Sequence, residues 1–221
     1  MEKAVIFDLD GTLIDSLADI HVALNKMLIL RGMMALNIEV VKGFIGKGSA
    51  DLVTRALAAH NLPTDKGSCS AALNDFIEIY SSGSNPLTKV FEGAKEALGY
   101  IRQKNIRLGI CTNKPLKPTK IVLNQFGLTS FFDSIVGGDQ LVSRKPNPEM
   151  LYYTMRSLNV ESCLFVGDSE IDCETALAAK QPFALFTKGY RKTSVESLDP
   201  KYYFGDYASL PNIVETVFRL Y

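Results

Sequence analysis

The chain has 221 residues, and its 24 Lys and Arg balance 24 Asp and Glu, so the formal net charge at pH 7 is zero with histidines neutral. That balance argues against nucleic acid or an anionic membrane as the main partner, because both reward an excess of cations. A hydrophobic share of 47% with 22% charged residues excludes a disordered chain and suits a core-forming globular protein, and the length fits one domain plus an insertion.

No stretch approaches the roughly 18 uncharged apolar residues that a membrane helix needs. The opening Met1-Glu2-Lys3-Ala4-Val5-Ile6-Phe7-Asp8 turns acidic too soon for a signal peptide, so the expected location is cytoplasmic. Cys69, Cys111, Cys163 and Cys173 form no CxxC pair, which favours buried reduced thiols over disulfides or zinc ligands. His21 and His60 fall in helix-like stretches and read as packing or surface residues. Any metal is therefore expected to be a hard cation held by oxygen.

In chain order, residues 4–7 form a short apolar run that stops at Asp8. The same pattern recurs at residues 106–111 before Thr112, at 163–166 before Gly167-Asp168, and at 183–186. Such runs predict parallel strands buried on both faces. From about Asp15 to Ser84 there is no strand pattern. Residues 15–30, 50–59 and 69–81 predict three helices, with Gly43-Phe44-Ile45-Gly46-Lys47-Gly48 as a loop between the first two and Ser81-Ser82-Gly83-Ser84-Asn85-Pro86 as an extended join. Helical spacing returns at Ala94-Ala97-Leu98-Ile101, Ile121-Val122-Phe126 and Met150-Leu151-Tyr153-Leu158. The alternation predicts an α/β fold, a doubly wound, mostly parallel sheet. Its core is expected at residues 1–14 and 85–221, with a small α-helical cap inserted at 15–84. Ligands of such sheets bind beyond the carboxyl ends of the strands.

Polar clusters stand at those ends. In Asp8-Leu9-Asp10-Gly11-Thr12, residues two apart share a strand face, so Asp8 and Asp10 project together. Adjacent carboxylates repel, which raises a pKa or recruits a cation; the plainer reading is an acidic turn bent at Gly11. Thr112-Asn113 offers a hydroxyl and backbone donors. Arg144-Lys145-Pro146-Asn147-Pro148 precedes a helix, with Pro148 placed for its first turn, and Gly167-Asp168-Ser169-Glu170-Ile171-Asp172 carries two aspartates near a helix start. Singly, each reads equally as a helix cap or a solvated charge. Jointly, four strand-end clusters converge on one cleft.

In order and composition these clusters resemble the haloacid dehalogenase superfamily of phosphohydrolases. The matching elements are Asp8-x-Asp10-Gly11-Thr12, Thr112, Lys145-Pro146 and Gly167-Asp168-Ser169-x-x-Asp172, and the helical interval matches that family's cap. Within it, Leu13-x-Asp15-Ser16, Thr112-Asn113-Lys114, Val136-Gly137-Gly138-Asp139 and Gly46-x-Gly48 are similar to bacterial phosphoglycolate phosphatases. The resemblance implies hydrolysis of a small phosphorylated metabolite, first 2-phosphoglycolate, by a monomer or homodimer. Asp8 would be the nucleophile that forms an aspartyl phosphate, and Asp10 the general acid and then base. Thr112, Asn113 and Lys145 would hold phosphoryl oxygens. Mg²⁺ would take the Asp8 side chain, the Asp10 backbone carbonyl and Asp168, with Asp172 touching a metal-bound water or orienting its neighbours. Gly46 and Gly48 would allow close backbone approach from the cap, and Lys47 reads equally as a contact for a substrate carboxylate or as a solvated loop lysine. Four ionised aspartates with one dication and Lys145 leave one net negative charge. A proton on Asp10 removes it, so an absolute metal requirement is expected.

Other members of the superfamily offer alternatives: a β-phosphoglucomutase-like phosphomutase, or a pyrophosphatase, nucleotide phosphatase or sugar phosphatase. Thr12 resembles the phosphatases, where mutases usually carry valine. Asp10 speaks against phosphonoacetaldehyde hydrolases and Asp168 against dehalogenases. A non-catalytic phosphate-binding module would require the loss of Asp8, Asp10, Thr112, Lys145 or Asp168, and all are present. Gly46-Lys47-Gly48-Ser49 is no Walker loop, because no Ser or Thr follows the lysine directly.

Overall fold

The computed structural model describes residues 2–82 and 86–219. The first strand, β1 (Lys3–Phe7), leads through a turn to the two-residue β2 (Ile14–Asp15) and then to the helices α1 (Leu17–Leu30), α2 (Ile38–Lys42), α3 (Ser49–Ala58) and α4 (Lys66–Ser82). The chain returns through β3 (Lys89–Val90), α5 (Ala94–Gln103), β4 (Arg107–Cys111), α6 (Leu116–Gln125), β5 (Ser134–Val136) and α7 (Glu149–Ser157). It closes with β6 (Ser162–Gly167), α8 (Glu170–Ala178), β7 (Phe183–Phe186), α9 (Val195–Leu198), β8 (Tyr202–Phe204) and α10 (Leu210–Phe218).

Six strands form one parallel sheet in the order β5-β4-β1-β6-β7-β8. Strand alternation sends Val5 and Phe7 to one face, where they pack with α5, α6 and α10, and Ala4 and Ile6 to the other, where α7 and α8 cover them. Both faces are thus buried, which is why these strands read as unbroken apolar runs rather than alternating ones. A third cluster, built from Leu24, Met27 and Leu28 of α1, Leu52, Val53 and Ala56 of α3 and Phe76 of α4, is the core of the helical cap. Among the described residues, no helix is long and apolar enough to cross a membrane.

Several expectations are corrected. The first cap helix starts at Leu17, because Asp15 pairs with Lys89 and Ile14 with Val90 in a small antiparallel ribbon where the chain leaves and re-enters the core. A strand two residues long has no periodicity to read. The short α2, just before the glycine loop, is not among the three expected helices. Residues 83–85 of the expected join lie outside the described residues. Cys111 and Cys163 are buried free thiols, but Cys69 and Cys173 are only half-buried. The histidines do serve packing. His21 Nε2 lies 2.9 Å from the Leu36 carbonyl oxygen, and both ring nitrogens of His60 lie 2.9 Å from carbonyl oxygens, those of Ala56 and Met34.

Leu24 is fully buried in the cap's own cluster. Leu24→Ala should lower the unfolding free energy by about 2–5 kcal/mol, read from the urea midpoint. A loss below about 1 kcal/mol would mean that this cluster is not packed as described.

Candidate active site

Because β1 lies between β4 and β6, with Phe7 level with Ile110 and Val166, the chain after each strand emerges on the same rim. The Asp8 N–H continues the ladder by donating to the Val166 carbonyl at 2.9 Å, and the Thr112 N–H donates to Val136 at 3.1 Å. Asn113 then ties in the distant segment carrying Lys145. Its Oδ1 accepts the Lys145 N–H at 3.0 Å, and its Nδ2 donates to the Lys145 carbonyl at 3.0 Å. This seats the Lys145 ammonium 2.8 Å from Asp8 Oδ1 and 2.6 Å from Asp172 Oδ1.

The remaining acids are fixed as firmly. Ser169 and Asp172 form a capping box at the start of α8, with Asp172 Oδ2 accepting from the Ser169 N–H at 3.1 Å and Oγ at 2.6 Å. Both oxygens of Asp172 are thus engaged, and it orients Lys145. Asp168 accepts from Thr12 Oγ1 at 2.8 Å and from the Tyr190 N–H at 2.6 Å. Gly11 has φ +87°, and a Cβ there would stand 2.5 Å from Asp168 Oδ2, so only glycine fits the turn.

Asp8, Asp168 and Asp172 each offer a carboxylate oxygen within 4.8 Å of the others, all three buried. Burial pushes Asp8 up to about 6, with the Asp172 and Asp10 charges adding and Lys145 opposing. Burial likewise holds Asp168 well above the carboxylate range, aided by Asp172 and Asp8. Burial alone would pull Lys145 down, yet Asp172 and Asp8 together keep it above the ordinary lysine value. Three acids against one ammonium leave an excess of two negative charges when all ionise, and all-oxygen donors suit a hard divalent cation. The donor set therefore fits Mg²⁺, with Asp8 and Asp168 as the side chains to hold it. The Asp10 side chain, whose backbone carbonyl alone was expected at the metal, is engaged by other groups.

Asp10 is held by a separate cation. Lys114 Nζ lies 2.9 and 3.1 Å from its two oxygens and donates to Tyr80 Oη of α4 at 2.9 Å, while Ser16 Oγ donates to Asp10 Oδ1 at 2.5 Å. Burial would lower Lys114, but Asp10 and Tyr80 hold it above its ordinary value. Asp8, Asp10, Thr112, Asn113 and Lys114 line one cleft of about 590 Å³ together with Gly46, Gly48, Ser49 and an apolar wall that includes Leu52, Phe76 and Ile77 from the cap. The glycine loop reaches the core as expected. The Gly46 carbonyl accepts from Asn113 Nδ2 at 3.0 Å, and a Cβ on Gly48, at φ +89°, would stand 2.8 Å from the Asn113 carbonyl oxygen. Lys47 takes the solvated one of its two readings: it is exposed and does not line the cleft, because the positive-φ glycines on either side present backbone inward and turn the lysine to solvent.

Sequence reasoning missed Lys114, Ser16, Thr12, Tyr80 and Tyr190 as site residues. Lys114 directly follows Thr112-Asn113, a signal that was available; Tyr80 and Tyr190 carry no local one.

The family model of haloacid dehalogenase-like hydrolases matches residues 5–186. Curated relatives named phosphoglycolate phosphatase, from Cereibacter sphaeroides and Rhodobacter capsulatus, are 42% and 39% identical over 95% and 97% of this chain and 96% and 98% of their own length. The solved structure of a predicted phosphoglycolate phosphatase from Haemophilus somnus is 27% identical with a TM-score of 0.87, covering 96% of this chain and 98% of that one. With strand-end acids and lysine arranged for phosphoryl chemistry and relatives of this name across nearly its whole length, the chain belongs to the haloacid dehalogenase-like hydrolase family and is a phosphatase.

Proposed function

We propose that the protein is a cytoplasmic, Mg²⁺-dependent phosphomonoesterase that works through an aspartyl phosphate on Asp8, with 2-phosphoglycolate as its substrate. The observation that carries this reading is that Asp8 and Asp10 open on the same cleft but are held by different cations, Lys145 and Lys114. Two carboxylates in distinct surroundings take distinct roles. An Asp8 oxygen attacks phosphorus while the bond to the leaving oxygen breaks, and Asp10 supplies the proton that this oxygen takes. Asp10, then ionised, removes a proton from the water that hydrolyses the aspartyl phosphate and frees Asp8. Lys145 holds Asp8 and balances phosphoryl charge, and Thr112 stands beside it to donate to a phosphoryl oxygen. Bound Mg²⁺ would neutralise the carboxylates and the substrate oxygens, so that an anionic nucleophile can meet an anionic phosphate.

For the substrate, the names of the relatives support 2-phosphoglycolate. The cleft supports it independently. Its apolar cap wall excludes water around a small leaving group, and its donors other than those at the phosphoryl end are Lys114, Tyr80 and the α3 N-terminus at Gly48 and Ser49, which has no side-chain cap. These groups, rather than Lys47, would meet the glycolate carboxylate.

Asp8→Asn should lower phosphate release more than about 1,000-fold without changing the circular dichroism spectrum, since the amide is nearly isosteric but a poor nucleophile. Normal turnover in that variant would remove the covalent mechanism. In a panel of 2-phosphoglycolate, p-nitrophenyl phosphate, sugar phosphates, nucleotides and pyrophosphate, kcat/KM should be highest for 2-phosphoglycolate; conversion of glucose 1-phosphate to glucose 6-phosphate would instead favour the mutase.

The raised carboxyl pKa values give a pH test. Asp8, at about 6 in the fold against 3.8 unfolded, binds its proton more tightly when folded. The metal-free protein therefore loses this stability as pH rises through that window, and Asp168 acts in the same direction. A cation must find these groups ionised, so the melting-temperature gain from Mg²⁺ should be larger at pH 7.5 than at pH 5 and should vanish in Asp168→Asn. A gain independent of pH, or full turnover in excess EDTA, would contradict the metal assignment.

A further inference from the structure

Helix α1 is entered through Ser16, a residue type that ordinarily caps a helix by taking up an extended conformation and accepting a first-turn N–H on its hydroxyl. Here it does not. Its φ and ψ are −107° and 2°, no side-chain cap bond forms, and the hydroxyl donates instead to Asp10 Oδ1 at 2.5 Å. The Ser16 and Leu17 N–H groups donate to Tyr190 Oη at 2.7 and 3.0 Å, and the phenol O–H donates in turn to Asp15 Oδ1 at 2.8 Å. Tyr190 comes from the core, more than 170 residues away in sequence, and is almost fully buried. Its backbone N–H is anchored on Asp168 Oδ2 at 2.6 Å. Two N–H donors and one acceptor saturate a phenolic oxygen.

We propose that Tyr190 is a positioning residue: by gripping the backbone where the cap begins, it keeps Ser16 out of its capping conformation and so holds the Ser16 hydroxyl on Asp10. The proposal rests on Asp10 being the proton-transfer group. Without the phenolic oxygen, the serine is free to relax to an extended conformation and cap α1, and Asp10 loses its hydroxyl donor. Tyr190→Phe and Ser16→Ala therefore act on one interaction.

The test is a double-mutant cycle in the full-length protein loaded with Mg²⁺, with melting temperatures confirming that each variant folds. Both single variants should lower kcat for 2-phosphoglycolate, or for another alkyl phosphate that the wild type turns over, roughly tenfold, with KM changed less than about twofold. The double variant should be no slower than the worse single one. For p-nitrophenyl phosphate, whose leaving group departs without a proton, kcat/KM should change less than about twofold. Additive losses, equal losses on the two substrates, or an unchanged kcat in Tyr190→Phe would overturn the proposal. Asp10→Asn, run alongside, separates the two levels: full turnover of the alkyl phosphate there would remove the role of Asp10 itself.

Discussion

The constraint on which the rest of the site depends is the burial of three carboxylates at one end of the sheet. Taking each carboxylate out of water costs several kcal/mol unless partners replace the lost solvation. The fold replaces part of it: Lys145 serves Asp8 and Asp172, Ser169 serves Asp172, and Thr12 and the Tyr190 backbone serve Asp168. Second neighbours hold these partners in turn, as when the buried Tyr207 hydroxyl donates to the Thr12 carbonyl at 2.6 Å. The compensation is incomplete, because Asp8 and Asp168 still bind protons more tightly than free carboxylates do. That residual negative potential is what makes the rim a place for a dication and a poor place for an anion without one.

The same rim explains how the cap meets the core. The cap has its own apolar cluster, separate from the two that sandwich the sheet. Its links to the core include polar ones: Gly46 on Asn113, Tyr80 on Lys114, and Asp19 accepting from the Thr88 N–H and hydroxyl, both at 2.6 Å. Gly48 lets the loop backbone lie against Asn113, where any side chain would collide. Small polar interfaces of this kind carry relative domain motion at modest cost. Two of these links end on residues that hold Lys145 at Asp8 or bind Asp10 directly, Asn113 and Lys114, so the position of the cap is felt at both carboxylates.

The long strands and helices were legible in the sequence because they bury continuous or periodic apolar surface. Strands β2, β3, β5 and β8, two or three residues each, were not, because edge and ribbon pairings this short leave no period. At the site, Asp8, Asp10, Thr112, Asn113, Lys145, Asp168 and Asp172 were legible because parallel strands deliver their following residues to one rim. Ser16 and Lys114 stand inside strings that the sequence had already singled out, but their task depends on where Asp10 turns. Tyr190 is further from any pattern: nothing in its neighbourhood marks a phenol that will meet the start of a helix from another layer. The choice between the two readings of Lys47 has a simpler cause. Charge and a glycine-rich setting suggested a ligand hand, but positive φ at Gly46 and Gly48 decides which way the residue between them points.

In the proposed mechanism, two carboxylates two positions apart must do opposite things. The nucleophile must stay ionised and unencumbered on one oxygen, whereas the proton carrier must be oriented and must change protonation state within each turnover. A common environment would push both toward the same behaviour. The chain separates them by giving Asp8 a lysine from the segment after β5, and Asp10 a lysine from the segment after β4 together with the Ser16 hydroxyl where the cap begins. Lys145 Nζ lies 2.8 Å from Oδ1 of Asp8, while Lys114 Nζ reaches both oxygens of Asp10. The asymmetry is present before any substrate arrives, so the two carboxylates are differentiated by the protein and not by the phosphate, as the proposed division between nucleophile and proton carrier requires.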